Sequence, residues 1–321
     1  KLNEIKIAEA MKTSGAKLVS PAVPPDDPIK PRKILNLVMG LIVGLMCGSG
    51  AAFLVEYFDV SIKSTEEAKQ VTGLVALGVI PMTRRSKKDG PFEYLITDTD
   101  PKSPVSEAFR TLEVDIKFSS SEMRGKVVLF TSALQGEGKS STVSNYAVIK
   151  AQSGKKTVLI DADMRKPMLD KLFSLERRKG LSDVLIGDIP VENVIQKTKI
   201  ENLDIVTAGI IPPNPASLLE SAQMKVMLDY LSSKYDAILI DSPPLVGLPD
   251  ALHLCAIADG VVLVIACGKS NRPIVKEARD ILENSKAKML GFVLTMFDRG
   301  KEIYSAYYSL DSYYSGHEKE K

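Results

Sequence analysis

The segment from Ala133 to Ser140 has the residue types of a phosphate-binding loop. It reads Ala-Leu-Gln-Gly-Glu-Gly-Lys-Ser and directly follows an apolar stretch. It matches the pattern Gly-x-x-x-x-Gly-Lys-Ser/Thr except that Ala133 stands where the first Gly is expected. Gly136 and Gly138 allow the backbone to curl so that successive N–H groups face a phosphate. In this pattern Lys139 reaches the β- and γ-phosphates of a nucleotide, and the hydroxyl of Ser140 ligates Mg²⁺.

The residues expected from this pattern to contact a nucleotide are consecutive in the sequence. A glycine-rich turn that only connects a strand to a helix is the alternative explanation of the same residues. The run lies between an apolar stretch and a helix-length segment, which is the context of a true phosphate loop. We therefore predict that it binds ATP. The predicted cofactor-binding residues are Gly136, Glu137, Gly138, Lys139, Ser140 and Ser141.

Three aspartates end apolar runs further along the chain. Asp161 and Asp163 end the run VLIDAD, and Asp241 ends the run ILID. Residues two apart in a strand point to the same side, and open α/β sheets bind ligands at the carboxyl ends of their strands. One such aspartate could simply cap a strand, but three favour a site for Mg²⁺ and nucleotide. The predicted catalytic residues are Lys139, Asp161, Asp163 and Asp241, and the predicted Mg²⁺ ligands are Ser140, Asp161 and Asp241.

These side chains need a sheet whose strands all end at one edge. From residue 104 onward, apolar runs alternate with helix-length segments, and the runs are continuous in Val, Ile and Leu. Strands of that kind are buried on both faces, as in a parallel sheet covered by helices. The sequence therefore predicts an α/β fold with a doubly wound, mostly parallel sheet. The predicted strands lie within 126–132, 157–163, 203–209, 235–244, 260–266 and 289–297.

Composition excludes several classes of protein. The 321 residues include 42 Lys+Arg and 40 Asp+Glu, a net charge of +2, with 26% charged and 45% hydrophobic residues. These values exclude a wholly disordered chain, a collagen and a polytopic membrane protein. A near-neutral chain also gives no global reason to expect a nucleic-acid partner. The three cysteines show neither metal-ligand nor disulfide spacing, which favours a reducing compartment.

One segment differs from the rest in being uncharged. Residues 34–55 form a 22-residue run without a charge, long enough as a helix to cross a hydrocarbon core of about 30 Å. Gly40, Gly44 and Gly48 recur at four-residue spacing, which weakens a helix in water but permits close helix association in lipid. We therefore predict one transmembrane helix rather than a buried core helix or a cleaved signal peptide.

The segments on either side of this helix complete the predicted organisation. Ser64 begins a capping-box pattern that predicts a short helix toward Thr72, and a strand is predicted to end at Pro81. Basic residues precede the apolar run, so the positive-inside rule would place the N-terminus in the cytoplasm. The predicted divisions are a Pro-rich end (1–33), the transmembrane helix (34–55), a juxtamembrane segment and linker (56–103), the nucleotide domain (104–298) and a tail (299–321).

The tail is rich in tyrosine. Half of the ten tyrosines in the chain lie between residues 304 and 314. The tail has few aliphatic residues, so it buries little apolar area and is expected to be mobile. An aromatic edge strand is the alternative to a set of phosphate acceptors. The candidate acceptors are Tyr304, Tyr307, Tyr308, Tyr313 and Tyr314.

The loop ending in GEGKS, the motif VLIDADMR and the strand ILIDSPP together resemble those of the bacterial tyrosine kinases of polysaccharide export. The stretches PRKILN and FLVEYFDVSIKSTEEAK resemble the end of a polysaccharide chain-length determinant (Wzz-like) module. The resemblance thus covers nearly the whole chain. In this family a first membrane helix and a periplasmic domain precede the segments that these stretches resemble.

The resemblance implies a P-loop kinase in the bacterial inner membrane with its nucleotide domain in the cytoplasm. It would use Mg-ATP to phosphorylate its tail tyrosines between molecules, with Asp163 or Asp161 as the base. Implied partners are further copies of the chain, the polysaccharide polymerisation and export machinery and a tyrosine phosphatase. The family's subunit-contact motif corresponds to Glu107 and Arg110, but Glu113 replaces its last basic residue. Gln135 stands where the family usually has Pro.

Two other functions are compatible with these motifs. A ParA/MinD-type ATPase switch shares the fold, but it carries a signature Lys five residues before the P-loop Lys, where this chain has Leu134. A purely structural polysaccharide co-polymerase with a vestigial site would show no ATP turnover, although the motif residues are present. Tail tyrosines that become labelled would favour the kinase over both.

Overall fold

The computed structural model describes residues 2–11, 30–82, 95–119 and 126–298. The Pro-rich stretch 12–29 and the tyrosine tail 299–321 lie outside the described residues. The chain divides into two compact units, Lys1–Asp59 and Val60–Lys321.

The first unit is helical where it is described. Helix α1 covers Leu2–Met11, and helix α2 covers Lys33–Phe58. Helix α2 has 26 residues, none of them buried, and its most apolar window has a mean hydropathy of 2.2. At 1.5 Å per residue it is about 39 Å long, so it is long and apolar enough to cross a membrane. The predicted apolar helix is confirmed, and it extends three residues beyond the uncharged run.

The second unit is built on an eight-stranded sheet. The strands are β1 (Ala76–Pro81), β2 (Val127–Ser132), β3 (Thr157–Asp161), β4 (Ile195–Lys197), β5 (Leu203–Val206), β6 (Ala237–Asp241), β7 (Gly260–Ala266) and β8 (Met289–Phe297). Their order in the sheet is β1-β8-β7-β2-β6-β3-β5-β4. Every neighbouring pair is parallel except β4 and β5. All six strands predicted after residue 104 are confirmed.

Helices cover both faces of this sheet. Successive strand residues face opposite layers: Leu129 belongs to the core under the helices at residues 222–234, 250–257 and 272–284, and Phe130 to the core under the helices at residues 104–119 and 139–152. The prediction of a doubly wound sheet is therefore confirmed. The helices are α3 (Thr65–Thr72), α4 (Ile96–Thr99), α5 (Pro104–Ser119), α6 (Lys139–Gln152), α7 (Leu169–Leu172), α8 (Leu181–Ile186), α9 (Pro215–Leu219), α10 (Ala222–Lys234), α11 (Asp250–Ile257) and α12 (Arg272–Asn284), with a 3₁₀ turn at Val191–Asn193.

The compact unit begins at Val60 rather than at the predicted boundary of residue 104. The strand assigned to the juxtamembrane segment is β1, which pairs in parallel with β8 and extends the same sheet. Helix α3 runs from Thr65 to Thr72 as predicted, and the Ser64 hydroxyl accepts the Glu67 amide hydrogen at 3.2 Å. An apolar run alone does not reveal which sheet it joins, so this boundary depends on tertiary pairing.

Strand β4 was missed by the sequence analysis. It has only three residues, half-exposed or exposed, and it pairs antiparallel with β5. So short a run shows neither alternation nor a continuous apolar pattern, and its position at the sheet edge removes the need for one.

We expect Leu77→Ala to destabilise the second unit by about 2–5 kcal/mol. Leu77 lies on β1, is 1% exposed and belongs to the core under α5, so its truncation leaves a cavity there. Urea unfolding followed by circular dichroism measures this change. The matched control is Val75→Ala, at a position that is 60% exposed, where little change is expected. If Leu77→Ala unfolds like the parent chain, β1 does not belong to the cooperative unit.

Candidate nucleotide-binding site

The predicted phosphate loop connects β2 to α6, and α6 begins at Lys139. Gly136 and Gly138 have φ angles of +79° and +87°. These lie in the left-handed region of backbone conformation, which residues other than glycine rarely adopt. A Cβ atom at Gly138 would also lie 3.3 Å from Thr295 Oγ1. Both glycines are therefore required by the curl of the loop at the N-terminus of α6.

Lys139 is the centre of a buried charge cluster. Its side chain is only 7% exposed, and its ammonium forms an ion pair with Asp241, which is fully buried. Lys139 Nζ also lies 3.8 Å from Asp163 Oδ2 and 3.3 Å from Ser140 Oγ. The structure thus brings together four residues that the sequence predicted as site members: Lys139, Ser140, Asp163 and Asp241.

Asp161 is the third aspartate of the cluster around Lys139. It pairs in register with Asp241 across the neighbouring strands β3 and β6. Its Oδ2 atom accepts hydrogen bonds from the backbone N–H groups of Met168 and Leu169, both at 3.0 Å. Burial raises the pKa of Asp161, and the neighbouring Asp241 charge raises it further.

Two carboxylate oxygens at this edge fit a hard cation. Asp161 Oδ1 and Asp241 Oδ2 are buried without a hydrogen-bond partner, which is costly unless a ligand satisfies them. Carboxylate and hydroxyl oxygens are the donors that Mg²⁺ prefers, and Mg²⁺ needs only one or two carboxylates beside substrate phosphates. In the described part of the chain, no group of three or more His, Cys, Asp or Glu residues is arranged to hold a metal. The two unpartnered carboxylate oxygens and the neighbouring Ser140 hydroxyl are a donor set that fits Mg²⁺ bound together with a phosphate.

Asp163 lies just beyond β3 and is largely buried. It is 8% exposed, and its Oδ1 atom accepts the backbone N–H of Lys166 at 3.1 Å. Burial raises the pKa of its carboxyl group, while the Lys139 ammonium opposes that shift. Its environment therefore differs from that of Asp161, which is fully buried and bonded to two amides.

Glu137 has a role that its position in the loop did not reveal. Its side chain is 2% exposed: Oε2 accepts the Leu134 amide hydrogen at 2.9 Å, and Oε1 accepts the Ser270 hydroxyl at 2.5 Å. Thr295 donates its hydroxyl to the Glu137 carbonyl at 2.8 Å. Burial raises the pKa of the Glu137 carboxyl. The side chain therefore supports the loop from behind, and only its backbone is free to face a phosphate.

Ser270 lies on the β7–α12 loop and Thr295 lies on β8, and no sequence pattern marks either residue.

A second contact that supports the site, between Arg165 and Asp250, also has no sequence pattern that predicts it. Asp250, fully buried at the start of α11, accepts hydrogen bonds from Arg165 Nε at 3.1 Å and Nη2 at 3.2 Å. A two-pronged contact of this kind fixes orientation as well as distance. It anchors the segment that follows Asp163.

The remaining predicted residues lie outside this cluster. Ser141 is half-buried in the first turn of α6, and its carbonyl accepts a hydrogen bond from the Asn145 side chain. On α5, Arg110 pairs with Glu107 and donates to the Pro101 carbonyl at 2.8 Å. Glu113 instead binds Lys150 of α6 at 2.9 Å. The five candidate acceptor tyrosines lie outside the described residues.

Two known families match the chain. The family described as "AAA domain" matches residues 125–282, and the family described as "G-rich domain on putative tyrosine kinase" matches residues 1–56. The first match contains the phosphate loop and all three aspartates, which indicates nucleotide binding. The second match contains helix α2.

Curated relatives are tyrosine kinases. Tyrosine-protein kinase YwqD of Bacillus subtilis is 42% identical over 214 residues, which are 67% of this chain and 90% of the relative. The chain belongs to the bacterial tyrosine kinases. This membership does not favour the ATPase-switch alternative. The relative named "Putative tyrosine-protein kinase CapB" in Staphylococcus aureus is 38% identical over 72% of this chain and 99% of its own length.

The kinase chain spans less than half of some longer relatives. It aligns along 94% of its own length with tyrosine-protein kinase etk of Escherichia coli, at 29% identity, but covers 44% of that protein. The solved kinase domain of Escherichia coli ETK superimposes with a TM-score of 0.69 at 26% identity, over 75% of this chain and 97% of that domain. The chimerical protein CapA2B2 gives 0.68 at 35% identity, over 74% and 100%.

We expect Glu137→Ala to weaken nucleotide binding at least about tenfold, because a buried amide and a buried hydroxyl lose their acceptor at about 1–3 kcal/mol each. Glu137→Gln keeps an acceptor of the same shape and should retain part of the affinity. Equilibrium binding of a fluorescent ADP measures both variants. Glu66→Ala, on the exposed face of α3, is the charge-matched control. Equal affinity in the Ala and parent proteins would show that the loop keeps its shape without this carboxylate.

Proposed function

We propose that this chain is a membrane-anchored protein-tyrosine kinase that transfers the terminal phosphate of Mg-ATP to the tyrosines of its own tail. The observation that carries the proposal is the buried Lys139, held between Asp241 and Asp163 beside the glycine loop. Family membership supports the same activity. The proposed acceptors are Tyr304, Tyr307, Tyr308, Tyr313 and Tyr314.

The phosphates of ATP would lie against the backbone N–H groups from Gly136 to Ser141 at the N-terminus of α6. The partial positive charge there and the Lys139 ammonium stabilise negative charge on the phosphates. Ser140, Asp161 and Asp241 would hold Mg²⁺, which neutralises charge on the phosphate oxygens when it is bound. The two buried oxygens without hydrogen-bond partners support this assignment.

Asp163 is the proposed base. Tyrosine has a pKa near 10, so its hydroxyl needs a proton acceptor as it attacks phosphorus. Asp163 keeps 8% of its surface exposed whereas Asp161 has none, so Asp163 is the more accessible of the two carboxylates to a phenolic hydroxyl. Asp161 is instead buried and bonded to two amides. The phenolic oxygen bonds to the terminal phosphorus, the bond to the bridging oxygen breaks, ADP leaves with the electron pair, and the proton passes to Asp163.

The cellular setting of the proposal is the bacterial inner membrane. Because ATP is cytoplasmic, the unit Val60–Lys321 would lie in the cytoplasm, and the Pro-rich end 1–33 would lie on the periplasmic side of helix α2. The basic residues before α2 do not follow the positive-inside rule in this topology, and upstream helices can override local charges. We propose that polymerisation and export of a polysaccharide is the regulated process.

Transfer between copies of the chain is the proposed mode of action. Neighbours in a membrane raise the local concentration of one tail at another active site. Glu107 and Arg110 on α5 are the proposed subunit contacts, and both are partly exposed. Each phosphate adds close to two negative charges, so several modified tyrosines would repel one another and loosen the assembly. A tyrosine phosphatase would reverse the modification.

We expect the double variant Lys139→Met/Asp241→Asn to lose tail phosphorylation completely. Lys139→Met alone would leave an unpaired buried charge on Asp241, which destabilises a fold by about 3–5 kcal/mol. The double variant removes both partners and avoids this loss of stability. Asp163→Asn should still bind ATP but transfer phosphate at least about 100-fold more slowly. Mass spectrometry of the full chain after incubation with Mg-ATP detects the modified tyrosines. Lys155→Met, at an exposed position, should behave as the parent protein. Full labelling of the double variant would show that phosphate transfer does not need Lys139.

Transfer between molecules is tested by mixing two proteins, neither of which can phosphorylate its own tail. One carries Lys139→Met/Asp241→Asn with its tail intact, and the other has an intact site with all five acceptor tyrosines changed to Phe. We expect radioactive label from ATP on the tail of the first protein, because the second supplies the site. Circular dichroism and ATP binding by the second protein serve as controls. An unlabelled tail under these conditions would show that the kinase modifies only its own tail.

A further inference from the structure

Two lysines from different loops contact the exposed tip of the phosphate loop. Lys166 Nζ donates to the side-chain oxygen of Gln135 at 2.6 Å, and Lys269 Nζ donates to the Gly136 carbonyl. Lys166 follows β3 and Lys269 follows β7. Neither lysine belongs to the motif from which the nucleotide site was predicted. Their contacts place two positive charges beside the place where phosphate would bind.

The site needs more positive charge than Lys139 supplies. Lys139 lies between two carboxylates, Asp241 and Asp163, so its charge is already balanced before a nucleotide arrives. Arg165 is committed to the buried Asp250. The switch ATPases have a signature lysine at the position of Leu134, and this chain has none there. The terminal phosphate gains charge as it is transferred, so a further cation would stabilise it.

Lys166 is held where it can supply that cation. The Arg165–Asp250 contact anchors its segment, and the Lys166 backbone N–H donates to Asp163 Oδ1 at 3.1 Å. Lys166 and the proposed base, Asp163, therefore belong to the same anchored loop. Among the described residues, no carboxylate forms an ion pair with Lys166, and its contact is the neutral amide of Gln135. A phosphate oxygen would be a stronger partner than that amide.

We propose that Lys166 moves from Gln135 to the terminal phosphate of ATP and supplies the second cation of the active site. This inference rests on the proposed kinase function. ADP lacks that phosphate, so Lys166 distinguishes ATP from ADP. Lys269 has a different role, because it binds a main-chain carbonyl and lies next to Ser270, which supports Glu137. Lys269 therefore stabilises the shape of the loop.

The affinity of the full chain for ATP and for ADP, measured with Mg²⁺ in detergent micelles, tests the proposal. We expect Lys166→Met to weaken ATP binding about 10- to 100-fold, the range for loss of a hydrogen bond to a charged group, and to change ADP binding less than about threefold. Lys166→Arg should keep most of the ATP preference. Lys171→Met, an exposed lysine on α7, is the matched control.

The outcomes separate the inference from the proposed function. Equal losses for ATP and ADP in Lys166→Met would show a structural role and overturn the inference. Unchanged ATP affinity in that variant, or loss of ATP preference in Lys269→Met instead, would overturn it as well. In each of these cases the parent chain binds nucleotide, so the kinase proposal stands. If the parent chain binds neither nucleotide, the proposed function fails and the inference fails with it.

Discussion

The buried charge cluster around Lys139 is the constraint on which the site depends. Asp161 and Asp241 lie side by side at the ends of neighbouring strands, both with no exposed surface. Like charges so placed repel each other and lose their hydration. One ammonium and two backbone amides offset part of that cost. A cation together with a nucleotide would complete the balance, so the strain of the free site favours ligand binding.

The rest of the fold holds this cluster in place. Strand order puts β6 between β2 and β3, so the phosphate loop and both buried aspartates meet at one edge of the sheet. Two contacts from outside these strands then fix the loops: Ser270 holds Glu137, and Asp250 holds Arg165. Both use a carboxylate that is almost or completely buried. Buried polar contacts that are fully satisfied make a single geometry more stable than its alternatives.

The chain between Val60 and Lys63 joins this arrangement directly. Ile62 accepts the Gly268 amide hydrogen at 2.8 Å and donates its own amide hydrogen to the Ser270 carbonyl at 2.9 Å. Ser270 is also the residue that binds Glu137 of the phosphate loop. The first residues of the second unit are thus part of the framework of the site. This is why a boundary at residue 104 divides a structure that packs as one body.

The sequence by itself determined every strand except β4, together with the phosphate loop and the aspartates, because continuous apolar runs and a glycine-rich loop leave local patterns. It also determined the apolar helix, which requires only length and composition. The tertiary structure decided that Asp161 is fully buried while Asp163 keeps a little exposed surface, and it showed that the Glu137 side chain points away from the phosphate-binding face of the loop. It also brought Ser270, Asp250 and Lys166 to the loop and placed β1 in the sheet. The Ser270–Glu137 hydrogen bond joins residues 133 positions apart, and a contact at that distance has no period or spacing in the sequence to reveal it.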